Sequence, residues 1–353
     1  MSTRREFIKQ VSTLAAASCI PPSLLSASDS VSLAKEVTKP AASADKIWAG
    51  FLHLSFNFAG GIRNWGGFRT EFEPDQSLWD DAINTMSKQG LNMVLINLDD
   101  SVLWNSHPEI SLKNSWTPER LHDELGKIRT AGLEPIPVLN FSATHSRWMG
   151  KYFNMLSSKK YYSFCRDLIA EAIDIFDYPR FIHFGMDEET HGYQRHFDRI
   201  NVRLGDQWWH DLYFYVSEAM DRGARAWVWS DYVWRHPDKF FKMMPKSVLQ
   251  SNWYYQENFD EDTLVGIRKT QVGAYKLLQA EGYDQVPTAS FDQNNPKSIG
   301  KTMEYCSKVI DDEHLLGFMQ SSWLPATEKY RDKIIKGIEL TGEARSSYES
   351  KRK

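Results

Sequence analysis

The sequence predicts an α/β protein, a single (β/α)8 barrel of the TIM-barrel kind set behind an N-terminal address and a linker. Three observations carry that expectation. From Trp48 onward, short apolar runs alternate with longer segments of helical period, the pattern of a parallel sheet with crossover helices. Roughly eight such units follow one another, enough to close a sheet on itself. The alternative, an open doubly wound sheet, announces itself with a phosphate-binding glycine turn, and "FAGGIRNWGGF" (58–68) has neither its spacing nor a helix directly behind it. That stretch reads as a loop over one end of the barrel.

The units run in order. "WAGFLHLSFNF" (48–58) is the first strand, and its helix lies in "EPDQSLWDDAINTMSKQG" (73–90), where Gly90 supplies a left-handed stop. "LNMVLINLD" (91–99) is the second strand. A loop with Trp104 leads to the helix "TPERLHDELGKIRTAG" (117–132), with Thr117 as N-cap and Pro118 in its first position. "LEPIPVLNF" (133–141) is the third strand, followed by the loop "ATHSRWMG" and the helix "KKYYSFCRDLIAEAIDIF" (159–176). The fourth strand opens "FIHFGMDEETH" (181–191), and the helix "WWHDLYFYVSEAMDRG" leads to the fifth strand, "ARAWVWSDYVW" (224–234). "SVLQSNWYY", "QVPTASF" and "LLGFMQSSWLP" complete the eight strands, with helices at 264–282 and 295–310 between the last three; "GEARSSYESKRK" (342–353) reads as a polar tail.

The start of the chain reads as an address. Arg4 and Arg5 precede a short, small-residue apolar segment that breaks at Pro21 and Pro22, so residues 1–28 resemble a twin-arginine signal for export to the periplasm. Cleavage is expected near "LLSASDS", and Cys19 weakly resembles a lipid-attachment site. Residues 29–46 form a polar linker, and the barrel occupies 47–341. The expected partners of the address are the twin-arginine export machinery and no permanent membrane span.

Composition narrows the function. Basic and acidic residues number 42 and 46, a net charge of -4 with no basic run beyond the N-terminus, so nucleic acid is not an expected partner. Beyond the address only Cys165 and Cys306 remain, on helices expected on opposite sides of the ring, which excludes a disulfide scaffold. Thirteen tryptophans suit either a large core or a platform for sugar faces.

The polar residues gather where the strands end. Asn57, Asp99 and Asp100, Asn140 with His145, Asp187 with Glu188, Trp229 with Asp231, Asn252 with Trp253 and Tyr254, Asp292, and Gln320 with Trp323 all fall at C-terminal strand ends, where barrel loops converge on one mouth. In strand four, alternation puts His183 and Asp187 on one face and Glu188 on the other. Adjacent carboxylates in different surroundings can hold different pKa values, one charged and one protonated, as acid catalysis requires. Capping of a helix start is the competing explanation of the acidic run.

"HFGMDEE" resembles the His-x-Gly-Gly-Asp-Glu strand-four signature of family-20 glycoside hydrolases, the β-N-acetylhexosaminidases. "PIPVLNFSATH", "VWSDYVW", "LQSNWYY" and "LLGFMQSSWLP" are similar to further strands of that family, in the right order. The resemblance implies retaining hydrolysis of a carbohydrate, assisted by the substrate's own 2-acetamido group and needing no metal or organic cofactor. It makes Glu188 the general acid and Asp187 the residue that orients the acetamido group. Trp229, Trp253 and Trp323 become wall residues, Tyr254 a hydroxyl donor and His145 a partner of the acids, with Asn140 and Asp231 also lining the site. Met186 replaces the second glycine, and the family's first-strand arginine has no match except, weakly, Arg63. A glycosidase for another sugar therefore stays open. So do a metal-dependent hydrolase built on His183, Glu189, His191 and His196, and a non-catalytic glycan-binding barrel.

Overall fold

The computed structural model describes residues 45–58, 68–197 and 199–352. The export signal, nearly all of the linker, and Arg63 with most of the glycine-rich loop lie outside them. Eight parallel strands form the barrel: β1 (Ile47–His53), β2 (Met93–Asn97), β3 (Glu134–Val138), β4 (Phe181–His183), β5 (Arg225–Trp229), β6 (Leu249–Ser251), β7 (Thr288–Ser290) and β8 (Gly317–Pro325). Their order is β6-β5-β4-β3-β2-β1-β8-β7. The ring closes between β6 and β7 through single bridges, Gln250 to Gln285 and Trp253 to Thr288. The (β/α)8 expectation holds, and each strand falls inside the run that predicted it or within a residue of it.

The longer strands are largely apolar on both faces, because one faces the barrel interior and the other the helices, whereas β6 (Leu249–Ser251) and β7 (Thr288–Ser290) carry buried polar residues. Phe51, Leu95, Val138, Phe181, Trp227, Leu249, Val286 and Met319 fill the interior. β3 carries Pro135 and Pro137, which have no N–H. Backbone N–H groups alternate sides along a strand; Glu134 donates toward the β2 side, to Asn92, whereas Leu139 donates to His183 of β4. The two prolines therefore delete donors on the β4 side. β3 and β4 register at Val138 and His183 alone, so this ladder is short beside the acidic run.

The helices are α1 (Gln76–Lys88), α2 (Pro118–Thr130), α3 (Lys159–Ile175), α4 (His191–Gln194), α5 (Gln207–Met220), α6 (Asp231–Arg235), α7 (Pro237–Met243), α8 (Gly266–Ala280), α9 (Ser298–Val309) and α10 (Arg331–Ser350). Thr117 caps α2 by accepting the Arg120 N–H, and Gly90 takes φ 75° just past α1, both as the sequence implies. Cys165 and Cys306 are buried free thiols.

Two expectations are corrected. The strand drawn through Trp234 stops at Trp229, and Asp231–Arg235 is α6. The tail at 342–353 is largely the second half of α10. Ile334, Ile338, Thr341 and Tyr348 recur at helical spacing and are buried, and Tyr348 packs edge-on against Trp48 and Phe318 at the bottom of the barrel. Among the described residues no helix is long and apolar enough to cross a membrane.

Candidate active site

The site starts where β4 stops being a strand. Regular pairing ends at His183, and Gly185, Met186 and Glu188 then take φ of 70°, 70° and 54°. Gly185 has no substitute there: a Cβ would sit 2.1 Å from Asn140 Oδ1 and 3.3 Å from Asn140 Cα. Met186 and Glu188 hold the same left-handed region with side chains, at a cost of about 1–2 kcal/mol each. The simple alternation that put Asp187 and Glu188 on opposite faces therefore fails. The coiled backbone instead turns both carboxylates onto one imidazole.

That imidazole is His145, at the end of a 3₁₀ turn (Ala143–His145) after β3. Its Nε2 lies 3.2 Å from Asp187 Oδ2 and 3.4 Å from Glu188 Oε2. The same turn holds the backbone of the acids. Ser142 Oγ donates to the Asp187 carbonyl, and Thr144 Oγ1 donates to the Glu188 carbonyl at 2.8 Å. Burial by itself would lower the pKa of His145, but the two carboxylates outweigh it and raise the group to about 10. At neutral pH the center is thus an imidazolium shared by two acids.

Asp231 completes the group from the start of α6. Its Oδ2 accepts the Glu188 N–H at 3.2 Å and its Oδ1 accepts Trp253 Nε1–H at 2.6 Å, so it ties the ends of β4, β5 and β6 together. Burial, then the negative charge of Asp187 and Glu188, push Asp231 well above the usual carboxylate range. Asp187 is 3% exposed, and its Oδ1 has no partner among the described residues, nor has His145 Nδ1. Unpaired buried polar atoms are costly in a core and ordinary in a site that a ligand completes.

The structure brings the three tryptophans expected at the mouth close to one another or to its tyrosines, and Tyr254 is not with them. Trp229 is buried 4.6 Å from His183 and 5.7 Å from Trp323, while Trp253 and Trp323 are half-buried. Tyr254, expected to offer its hydroxyl to a ligand, turns away and donates to the Asn258 carbonyl at 2.8 Å. Its neighbour Tyr255 stacks on Trp253 at 4.9 Å and takes the Trp323 indole N–H at 2.7 Å. The signal was in the sequence: residues two apart share a face, so Trp253 and Tyr255 belong together and Tyr254 does not.

Asn140 organises rather than faces the mouth. Its Oδ1 accepts the Ser142 N–H at 3.1 Å and its carbonyl accepts Trp148 Nε1–H at 3.0 Å. His53, at the end of β1, was not singled out by sequence. It is 1% exposed, ringed by Phe51, Phe56, Phe58 and Trp323, and neither ring nitrogen has a partner among the described residues. Burial lowers it to about 3, so it is neutral.

The third carboxylate has a different task. Glu189 Oε1 accepts the Ala143 N–H at 2.9 Å and pairs with Arg203 Nη1. Arg203 also donates Nε to Asp211, and Nη2 to the Phe141 carbonyl and the hydroxyls of Tyr161 and Tyr215. Arg203 comes from the irregular loop before α5, and nothing local in the sequence marks it. The metal grouping read from sequence does not assemble. Glu189 is taken by Arg203, His191 and His196 are exposed, and His183 lies buried with Nδ1 accepting the Gly185 N–H. The donor atoms that do converge, all within 4.8 Å, belong to His145, Asp187 and Glu188.

No family model matches the chain, and no curated protein matches it in sequence. Solved structures match its fold. A β-N-acetylhexosaminidase from Bacteroides fragilis is 12% identical with a TM-score of 0.59, the match covering 87% of this chain and 70% of that one. An exo-β-N-acetylglucosaminidase of glycoside hydrolase family 20 from Vibrio harveyi, in complex with N-acetylglucosamine, is 14% identical with a TM-score of 0.57, covering 85% and 54%. Dispersin B is 14% identical with a TM-score of 0.56, covering 85% and 99%. This chain thus spans about half the length of the Vibrio enzyme. At such identities the shared property is the barrel.

Proposed function

We propose that the protein is a glycoside hydrolase that cleaves with retention, using the substrate's 2-acetamido group as nucleophile. The observation that carries the reading is His145 Nε2, placed between Asp187 and Glu188 at a barrel mouth walled by indoles. In this reading Glu188, 3.4 Å from His145 Nε2, gives its own proton to the glycosidic oxygen as the C–O bond breaks, while the imidazolium fixes the carboxyl group. The acetamido oxygen forms a bond to the anomeric carbon, and Asp187 stabilises the positive charge that spreads over the resulting ring. Water then attacks the anomeric carbon, Glu188 takes its proton, and the acetamido group is released.

Tyr255 takes the role expected of Tyr254. Because an indole N–H can only donate, Tyr255 Oη accepts from Trp323, and its own proton, with Ser321 Oγ no nearer than 3.5 Å, can turn to the acetamido oxygen. Similarity in fold to β-N-acetylhexosaminidases supports the substrate class. The test is a panel of aryl glycosides with and without the 2-acetamido group, assayed on wild type and Glu188→Gln. Preference for the acetamido sugars and collapse in the variant are expected; equal turnover of sugars lacking that group rules the mechanism out. A divalent ion on His145, Asp187 and Glu188 is the second reading, and loss of turnover in chelator with recovery on added zinc or manganese would favour it.

We also propose export through the twin-arginine machinery to the periplasm, with cell fractionation of an Arg4→Lys/Arg5→Lys variant as the test.

A further inference from the structure

A cleft reaches Glu188 between the loops that follow β4 and β5. It encloses about 310 Å³, near the lower end of the roughly 300–1,000 Å³ usual for ligand sites. Its lining carries both signs of charge: Glu188 and Asp231 on one hand, Arg235 and Lys239 on the other, with Tyr193 and His236 also in the wall.

The basic residues of the lining are not equivalent. Lys239 is held by Asp206 at 2.7 Å, and the His236 ring lies 5.1 Å from Tyr232. Arg235 is exposed, and no described residue pairs with it. Its position is nonetheless fixed. It ends α6, whose first residue is Asp231, the acceptor of the Glu188 N–H, and whose Trp234 donates its indole N–H to Asn252 at 2.7 Å. Four residues of helix, about 6 Å of rise, separate Arg235 from Asp231. The same cleft is thus lined both by the proposed acid, Glu188, and by a guanidinium anchored on the short helix that begins at Asp231.

We propose that this cleft seats the leaving group and that Arg235 selects a leaving sugar bearing an anionic substituent. Its planar fork suits a carboxylate or a sulfate on the first residue beyond the cleaved bond. This rests on Glu188 being the acid, since that choice decides which side of the bond the cleft serves.

The test uses the full chain and three disaccharides with N-acetylglucosamine as the first residue and glucose, glucuronate or glucose 6-sulfate as the second. Wild type is expected to favour the anionic members about tenfold in kcat/KM, as a hydrogen-bonded charge would give. That preference should shrink as salt rises and close in Arg235→Gln. Preference for one anionic member alone identifies carboxylate or sulfate as the group recognised. No preference in wild type, or one that survives in Arg235→Gln, overturns the inference. Calorimetric binding of the same disaccharides separates the two proposals. If none is hydrolysed but the anionic ones bind more tightly in wild type and not in Arg235→Gln, the anion site stands and the hydrolase reading falls. Equal binding of all three overturns the site itself.

Discussion

Two buried charge clusters meet at the end of β4, one residue apart in sequence. Asp187 and Glu188 share His145; Glu189 belongs to Arg203 and Asp211. The second cluster is nearly closed: Arg203 is wholly buried with Nε, Nη1 and Nη2 all engaged, and Asp211 also accepts from Ser157 and Tyr162. Among the described residues Glu189 Oε2 lacks a partner, and burial outweighs the Arg203 charge enough to lift Glu189 to about 7. The first cluster is open, with unpartnered atoms on Asp187 and His145 and a left-handed backbone at Glu188. The contrast separates holding from acting. A satisfied ion network fixes the loop, and an unsatisfied one beside it keeps bonding capacity for a substrate.

The comparison can be broken at either cluster. Removing one partner of a buried ion pair strands its counter-charges, so Arg203→Met is expected to cost about 3–5 kcal/mol of unfolding free energy in urea titration. A loss under about 1 kcal/mol would mean that the network holds little. Glu188→Gln should invert the pattern: turnover falls by about a hundredfold to ten-thousandfold while the urea midpoint barely moves. Retained turnover would move the acid elsewhere.

The tyrosine pair sharpens the distinction within the mouth. Tyr255→Phe should lower kcat by about tenfold on acetamido sugars, a loss of about 1.4 kcal/mol of transition-state stabilisation, whereas Tyr254→Phe changes kcat little. The reverse ranking would restore the residue that sequence favoured. The smallest expected effect concerns pH. His145 is raised from 6.5 to about 10, so its contribution to stability is full below pH 6.5 and is lost as pH rises through 10. In thermal melts at low salt, His145→Asn should flatten the decline across that window. A slope identical to wild type contradicts the shared imidazolium.

Much of this was legible beforehand, for physical reasons. Alternation of apolar runs with helical periods reports burial on both faces of a parallel strand, and caps such as Thr117 and stops such as Gly90 are local backbone chemistry. Asp187, Glu188 and His145 were readable as residues of one mouth because strand ends converge. Their actual contact was not, since it depends on three left-handed residues that end the pleat early. Arg203 was invisible because its partners lie on four separate segments. Tyr255 was missed although the period of two pointed to it, and α10 was cut short because its polar residues outnumber the few that pack.

The claim on which the proposed chemistry turns is that one imidazolium is shared by the Asp187 and Glu188 carboxyl groups. Nitrogen-detected magnetic resonance of histidine-labelled protein, with His145→Asn to assign the signal, reads that state directly. The account expects His145 to remain doubly protonated at pH 8 and to titrate near 10. A neutral ring at pH 8, titrating at or below the ordinary 6.5, would contradict it.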